Sequence, residues 1–293
     1  ATRLVHLCAA ACFVVFLRAA PVASITIDFS TEDDFTTPLV NRQSISTFPD
    51  VLIDDTVFEF GNLFNISTIQ LGTDGHMGAA IFDSTPGVNT EDADLWVDLG
   101  NLLILQNDDH PNTTLDPTYG LVFDIPDDEK SFDDIGSIVF DFLSPVELIS
   151  LVLVDVDDGV HVELSLTDDS RNRRVYDVPE NWTNELPTLM GWDTLFFDPS
   201  LFPLYGEGSG GPATITLDEA GFDLGRVQQM DVLMSGNPSS LALGSFVFVP
   251  EPISLALLGL GSLLLLRRQH TPMAGSPRLG RRRRMLTGPG AGS

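Results

Sequence analysis

Clustered carboxylates are the side chains of this sequence whose type and spacing suit the binding of a metal ion. Asp92 and Asp94 are separated by one residue, and Asp83 precedes them in the same turn-rich stretch. Proteins bind Ca²⁺ through carboxylate and carbonyl oxygens, so these three residues are candidate calcium ligands. Asp is also frequent in turns for conformational reasons alone. Ca²⁺ is therefore the one cofactor that the sequence suggests, and simple turn formation is the alternative.

Motifs for catalysis are poorly represented in the chain. His76, His110 and His161 do not have a zinc-ligand spacing such as His-x-x-x-His. Neither a Gly-x-Ser-x-Gly turn nor a glycine-rich phosphate loop occurs. Two carboxylates for glycoside hydrolysis can always be chosen from 42 acidic residues, so their presence does not indicate a glycoside hydrolase. We predict no catalytic residues and a protein that is not an enzyme.

A second chemical signal lies near the end of the sequence. Pro250, Glu251 and Pro252 form a motif through which no helix passes intact. Residues 253–266 follow as an uncharged, leucine-rich run that favours helix. Its length of about 21 Å is short of the ~30 Å hydrocarbon core, which allows a buried core helix or a short membrane segment. The pair Arg267 and Arg268 favours a single transmembrane helix, because positive charge collects on the cytoplasmic side of a span.

The order of these three parts resembles the PEP-CTERM sorting signal of bacterial surface and exported proteins. The resemblance implies that an exosortase-type membrane peptidase recognises residues 249–268. The sorting motif that it implies comprises Pro250, Glu251, Pro252, Arg267 and Arg268. The protein would be exported, tethered to the membrane through residues 253–266, and then located at the cell surface or outside the cell. Unlike such signals, this chain continues into residues 269–293, which we expect to form a disordered basic tail.

The first 24 residues are typical of a secretory signal peptide. Arg3 and His6 precede an apolar run at residues 7–17, and small residues follow up to Ser24. Both cysteines, Cys8 and Cys12, lie inside this segment. We therefore predict a signal peptide at residues 1–24 and an exported domain that folds without disulfides.

The charge of the chain is distributed very unevenly. All 42 acidic residues lie between Asp28 and Glu251, where there are 6 basic residues, so that this part carries a formal charge of −36. Such a surface repels DNA, RNA and other anionic polymers, so we expect no nucleic-acid partner. It attracts divalent cations, or else it serves solubility alone.

Residues 25–248 show strand patterns and almost no helical ones. Residues 25–29, 57–60, 66–69 and 136–142 alternate between apolar and polar side chains. Residues 148–156 and 160–167 predict a hairpin that turns at Asp158 and Gly159, and further strands are predicted at 101–106, 121–125, 213–217, 227–235 and 241–249. Residues 183–211 are typical of a long ordered loop. The sequence predicts one all-β domain, a jelly-roll-like β-sandwich.

Several short blocks in this domain also resemble a group of PEP-CTERM surface proteins. They include Ile27-Asp28-Phe29, Ala80-Ile81-Phe82-Asp83-Ser84 and Gly100-Asn101-Leu102-Leu103-Ile104. The resemblance implies a jelly-roll middle domain without implying an activity. We predict an exported surface or extracellular-matrix protein with a structural or binding role. The alternatives are a secreted hydrolase of polysaccharide, or a carbohydrate-binding module in which Trp96, Trp182 and Trp192 stack on sugar rings. An extracellular polysaccharide is therefore a candidate partner.

Overall fold

Antiparallel strands make up nearly all regular structure among the residues that the structure describes. The computed structural model describes residues 23–32, 36–45, 58–60, 63–71, 78–89, 93, 95–106, 112–127, 135–157, 159–183, 191–236 and 241–251. In chain order the strands are β1 (Ile25–Ile27), β2 (Phe58–Phe60), β3 (Phe64–Leu71), β4 (Ala79–Asp83), β5 (Asn101–Leu105), β6 (Thr113–Asp116), β7 (Gly120–Phe123), β8 (Ile135–Val154), β9 (Val160–Asp168), β10 (Arg173–Val178), β11 (Trp192–Phe196), β12 (Thr214–Asp218), β13 (Val227–Gly236) and β14 (Ala242–Pro250). One short 3-10 helix, η1 (Leu224–Arg226), precedes β13. The predicted all-β class is confirmed.

The long strand β8 divides the main sheet into two halves. Its first part, up to Phe142, pairs with β3 and β13, and its second part, from Val146, pairs with β11 and β14. Pro145 lies at the crossing, where β8 and β13 change register; a proline suits this place because it has no N–H to donate. Half A therefore has the order β2-β3-β8-β13-β9-β10-β12. Half B has the order β11-β8-β14-β5-β4, with β1 also paired to β14.

The two halves contribute to one hydrophobic core, which is consistent with a β-sandwich. Val232 and Phe140 of half A and Leu151 and Phe246 of half B are fully buried in the same cluster. The ring of Phe246 lies 5.1 Å from Phe140, an edge-to-face contact between the halves.

A second cluster covers the other face of half B. It includes Phe82, Leu102, Ile104 and Val154, together with Phe123 from the β6–β7 hairpin. Half B is thus buried on both faces, which explains why the last residues of β8, 151–154, are all apolar. Half A has only one face in the core.

The predicted pairing of residues 148–156 with residues 160–167 is wrong. The strand at 160–167 exists as β9, but β9 pairs with β10 and β13, in half A. Residues 148–154 belong to β8 and pair with β11 and β14, in half B. Gly159, with φ of 92°, therefore lies where the chain passes from one half to the other. Strands that are distant in sequence satisfy the backbone of β8, so the local turn signal did not determine its partner.

Four strands, β4, β6, β10 and β11, lie where the sequence predicts none. β10 has no clean alternation, since its outward side holds Arg173 and the buried Val175. β11 lies inside the predicted loop at 183–211 and pairs with β8. The predicted separate strands at 136–142 and 148–156 belong to the single strand β8.

Alternating glycines in the rest of that loop allow two backbone segments to touch. An added Cβ at Gly208 would lie 2.0 Å from the carbonyl oxygen of Thr183, and one at Gly210 would lie 1.8 Å from that of Glu180. The N–H of Gly208 donates to the carbonyl of Trp182 at 3.1 Å. Because the glycines at every second position have no Cβ, this loop can pack directly against the backbone of residues 180–183.

The terminal segments fall outside the described residues. By internal contacts the chain divides into Ala1–Ser254 and Leu255–Ser293, and every described residue belongs to the first unit. Within the described part of the chain, no helix is long and apolar enough to cross a membrane. The predicted signal peptide lies almost wholly outside the described residues, and the predicted helix at 253–266 and the basic tail lie entirely outside them.

Candidate functional site

The outward face of half A carries several polar side chains. In β13 the residues Met230, Val232 and Met234 are buried in the core, so Asp231 and Leu233 between them face the other way. The same alternation in β9 places His161, Glu163, Ser165 and Thr167 outward, as predicted. We call this surface the polar face.

Strand register places Asp231 at the centre of the polar face. Asp231 lies directly opposite Val139 of β8 on one side and Ser165 of β9 on the other. Its diagonal neighbours include Asp141 on β8 and Glu163 on β9. Diagonal neighbours on a sheet are about 7–8 Å apart, so the three carboxylates come close across three strands.

Hydrogen bonds hold the neighbours of Asp231 in place. The amide Nε2 of Gln229 donates to Oδ1 of Asp141 at 2.8 Å. The guanidinium of Arg173 donates to the hydroxyl of Ser165 from Nε at 3.2 Å and from Nη2 at 2.9 Å. These contacts orient an amide, a hydroxyl and a cation around the central carboxyl group.

Asp231 itself is incompletely satisfied. Its Oδ1 is buried and has no hydrogen-bond partner within the described structure. Burial raises the pKa of Asp231, and the nearby charges of Glu163 and Asp141 raise it further. A hydrogen bond with Ser137 and the charge of Arg173 offset only part of this effect. A carboxyl group whose surroundings disfavour its ionised form marks a candidate functional position.

Replacing Asp231 by Asn is expected to raise the melting temperature at pH 7. The folded-state pKa is raised, so the ionised form that prevails at neutral pH is disfavoured by folding, and a neutral amide of the same shape removes this cost. Near pH 3 the wild-type carboxyl is protonated in both states, so the advantage of Asn should disappear there. Thermal melting at both pH values, with Asp177→Asn at the edge of the face as the control, measures it. A variant less stable at pH 7 would contradict the assignment.

The chemistry available here is hydrogen bonding to a polar ligand and transfer of a proton. A carboxyl group with a raised pKa donates a proton more readily near neutral pH than an ordinary Asp, and Glu163 or Asp141 could accept one. His161 lies further along β9, where its Nε2 is 3.0 Å from Oδ1 of Asp177 at the exposed edge of the face. Sequence reasoning placed His161 and Glu163 on a polar surface but missed Asp231, since nothing local in the sequence indicates its burial.

Of the predicted calcium ligands, only Asp83 lies among the described residues. It ends β4, and its Oδ1 accepts a hydrogen bond from the N–H of Thr85 at 2.9 Å. The neighbouring loop is held by Asn89, which exchanges side-chain hydrogen bonds with Asn41. Among the described residues, no group of three His, Cys, Asp or Glu side chains could hold a metal ion. Asp92 and Asp94 fall outside them, so the calcium site stays a prediction.

The three tryptophans occupy different environments. Trp182 is fully buried, and its Nε1 donates to the carbonyl of Leu204 at 3.3 Å. Trp96 is partly buried and donates to the carbonyl of Asn89. Only Trp192 is exposed, with 43 % of its surface accessible. A sugar-stacking platform made of all three is therefore wrong, because Trp182 has no accessible ring.

The structure describes the first two residues of the predicted sorting motif. Pro250 ends β14 opposite Val146 of β8. Glu251 follows it and forms an ion pair with Arg226, with Oε1 2.8 Å from Nη1. Pro252, Arg267 and Arg268 lie outside the described residues.

The sequence matches no protein-family model and no curated protein.

Proposed function

We propose that this protein is exported, tethered to the membrane by residues 253–268, and sorted to the cell surface or extracellular matrix by an exosortase-type peptidase. The observation that carries the proposal is the coincidence of two boundaries. The last strand of the described part of the chain ends at Pro250, where the sorting motif of the sequence begins. The contact division after Ser254 supports the same separation of body and tether.

The proposed role of the body is binding, and its proposed fold is a jelly-roll-like sandwich. The polar face offers carboxylates, an amide, hydroxyls and Arg173 on one surface, which suits hydrogen bonding to the hydroxyl groups of a polysaccharide. The charge of −36 between Asp28 and Glu251 excludes strongly anionic polymers as good ligands. A neutral extracellular polysaccharide is therefore the proposed partner.

Processing at both ends tests the export proposal. Intact mass of surface-extracted protein from a host with an exosortase-type peptidase should show a chain that begins near Ile25 and ends near the Pro250–Pro252 motif. Replacing Pro250, Glu251 and Pro252 together by Ala should leave residues 253–293 attached, whereas Arg278→Ala in the tail should be processed normally. Recovery of wild-type protein that still carries Arg267 and the tail would contradict the proposal.

Hydrolysis of a polysaccharide is a second candidate function, favoured specifically by Asp231. An Asp whose pKa is raised by burial, beside the carboxylates of Glu163 and Asp141, is the kind of pairing that glycoside hydrolysis uses. Release of reducing ends from a neutral polysaccharide by wild-type protein, and its loss in Asp231→Asn, would support hydrolysis. Retained binding without any release would support the binding role instead.

A further inference from the structure

Two residues of the sorting motif belong to the folded sandwich itself. Pro250 is paired in the sheet with Val146, and its side chain is buried. The side chain of Glu251 is only 18 % exposed, and its carboxylate lies 2.8 Å from the guanidinium of Arg226. In the folded protein, the peptidase would therefore have to recognise a proline at the end of a paired strand and a glutamate that already forms an ion pair.

Arg226 is held rigidly for this contact. It ends η1, and its N–H donates to the carbonyl of Asp223 at 3.0 Å. Its carbonyl accepts from the N–H of Asp169 at 3.0 Å, and its Nε donates to Oδ2 of the same Asp169 at 3.1 Å. Nη2 contacts that oxygen as well, which leaves Nη1 directed to Glu251. The turn between β9 and β10 thus fixes the cation that pairs with the motif.

The carboxylates also stabilise the charged form of Arg226. The hydrogen bond and charge of Asp169, with a smaller contribution from Glu251, raise the pKa of Arg226. Asp169 and Glu251 lie 82 positions apart in the chain and would repel each other without the guanidinium between them. Removal of this cation therefore has two effects. It deletes the ion pair with Glu251, and it leaves the carboxylates of Asp169 and Glu251 without a positive charge between them.

We infer that the folded body sequesters the sorting motif, and that Arg226 is the positioning residue that holds Glu251 against the sandwich. The inference rests on the proposed function and concerns the regulation of the same site. Recognition requires the end of β14 to separate from β8, so the processing rate follows the population of this local opening. A chain whose body has not yet folded presents the motif freely. Folding of the body therefore slows the removal of its own tether.

The processing rate of the full chain tests this inference. Surface-extracted protein is followed by intact mass after a pulse of synthesis in a host with an exosortase-type peptidase. Arg226→Gln should be processed about threefold to fivefold faster, the factor expected for loss of a partly exposed ion pair. Arg174→Gln is the control, because it removes an ion pair of similar length, 2.9 Å to Asp218, and a cation–π contact with Phe222, neither of which involves the motif. Its rate should equal that of wild type.

Hydrogen exchange of the backbone amides at residues 246–249 and 251 gives a readout that needs no peptidase. In detergent-solubilised full chain, these amides should exchange faster in Arg226→Gln than in wild type or Arg174→Gln. Equal exchange and equal processing in Arg226→Gln and wild type would overturn the inference and leave sorting intact. Acceleration in both variants would assign the effect to global stability and would also overturn it. A wild-type chain that is never cut would overturn the proposed function, while exchange would still decide whether Arg226 holds Glu251.

Discussion

Phe246→Ala is expected to lower the free energy of unfolding by about 3–5 kcal/mol, the usual cost of truncating a fully buried phenylalanine. Phe246 has no exposed surface, and its ring touches aromatic rings from both halves of the main sheet. The centroid distances are 5.1 Å to Phe140, 5.5 Å to Phe64, 5.8 Å to Phe248, 6.2 Å to Phe142 and 6.3 Å to Phe29. Truncation would leave a cavity that five rigid rings cannot close by small movements.

Urea denaturation of the full chain, followed by the fluorescence of the buried Trp182, measures this loss. Leu115→Ala is the control, because Leu115 is 73 % exposed and its truncation should change stability by about 0.5 kcal/mol at most. A loss below 1 kcal/mol for Phe246→Ala would mean that the two halves do not pack through this ring, and would contradict the sandwich described above.

Asp168→Ala is expected to lower the free energy of unfolding by about 3 kcal/mol, through loss of a buried carboxylate with several donors. Asp168 ends β9 and is 2 % exposed. Its carboxylate accepts from the N–H groups of Ser170 at 2.9 Å, Asn172 at 2.8 Å and Asp223 at 3.2 Å, and from the amide of Asn172 at 3.1 Å. One side chain thus joins the β9–β10 turn to the chain that enters η1.

The stability that Asp168 supplies depends on pH in a defined direction. Burial would raise the pKa of Asp168, but hydrogen bonds from Asn172, Asp223 and Ser170 together outweigh it, so the pKa lies below its ordinary value. The contribution is therefore complete above the unfolded-state pKa of about 3.9 and is lost as the pH falls through the lower folded-state value. The difference between wild type and Asp168→Ala in urea denaturation should be full at pH 6 and shrink below pH 4.

Asp116→Ala is the matched control for Asp168→Ala. Asp116 forms the same kind of turn, accepting from the N–H groups of Thr118 at 2.7 Å and Tyr119 at 3.0 Å, but in the exposed β6–β7 hairpin. Water replaces such exposed hydrogen bonds, so its loss should cost less than about 1 kcal/mol. Equal losses for the two variants would show that burial of Asp168 contributes nothing.

The sequence by itself determined the features that depend on short-range periodicity. Period-two alternation identified β9 and the orientation of Glu163 on the polar side of its strand, and strands were also predicted at the positions of β13 and β14. It also indicated an all-β domain, because residues 25–248 offer no sustained helical pattern. The break at Pro250 was equally visible, since a proline at a strand end is a local signal.

Only the tertiary structure determined which strands pair and which electrostatic environment their side chains occupy. Residues 148–154 have the pattern of a hairpin with β9. In the structure, however, this segment pairs with β11 along one edge and with β14 along the other. Pairing between distant strands depends on how two apolar faces pack together, which no local pattern encodes. The raised pKa of Asp231 arises from carboxylates on two neighbouring strands, and the pairing of Arg226 with Glu251 arises from the packing of β13, β8 and β14 side by side. Both are consequences of long-range register.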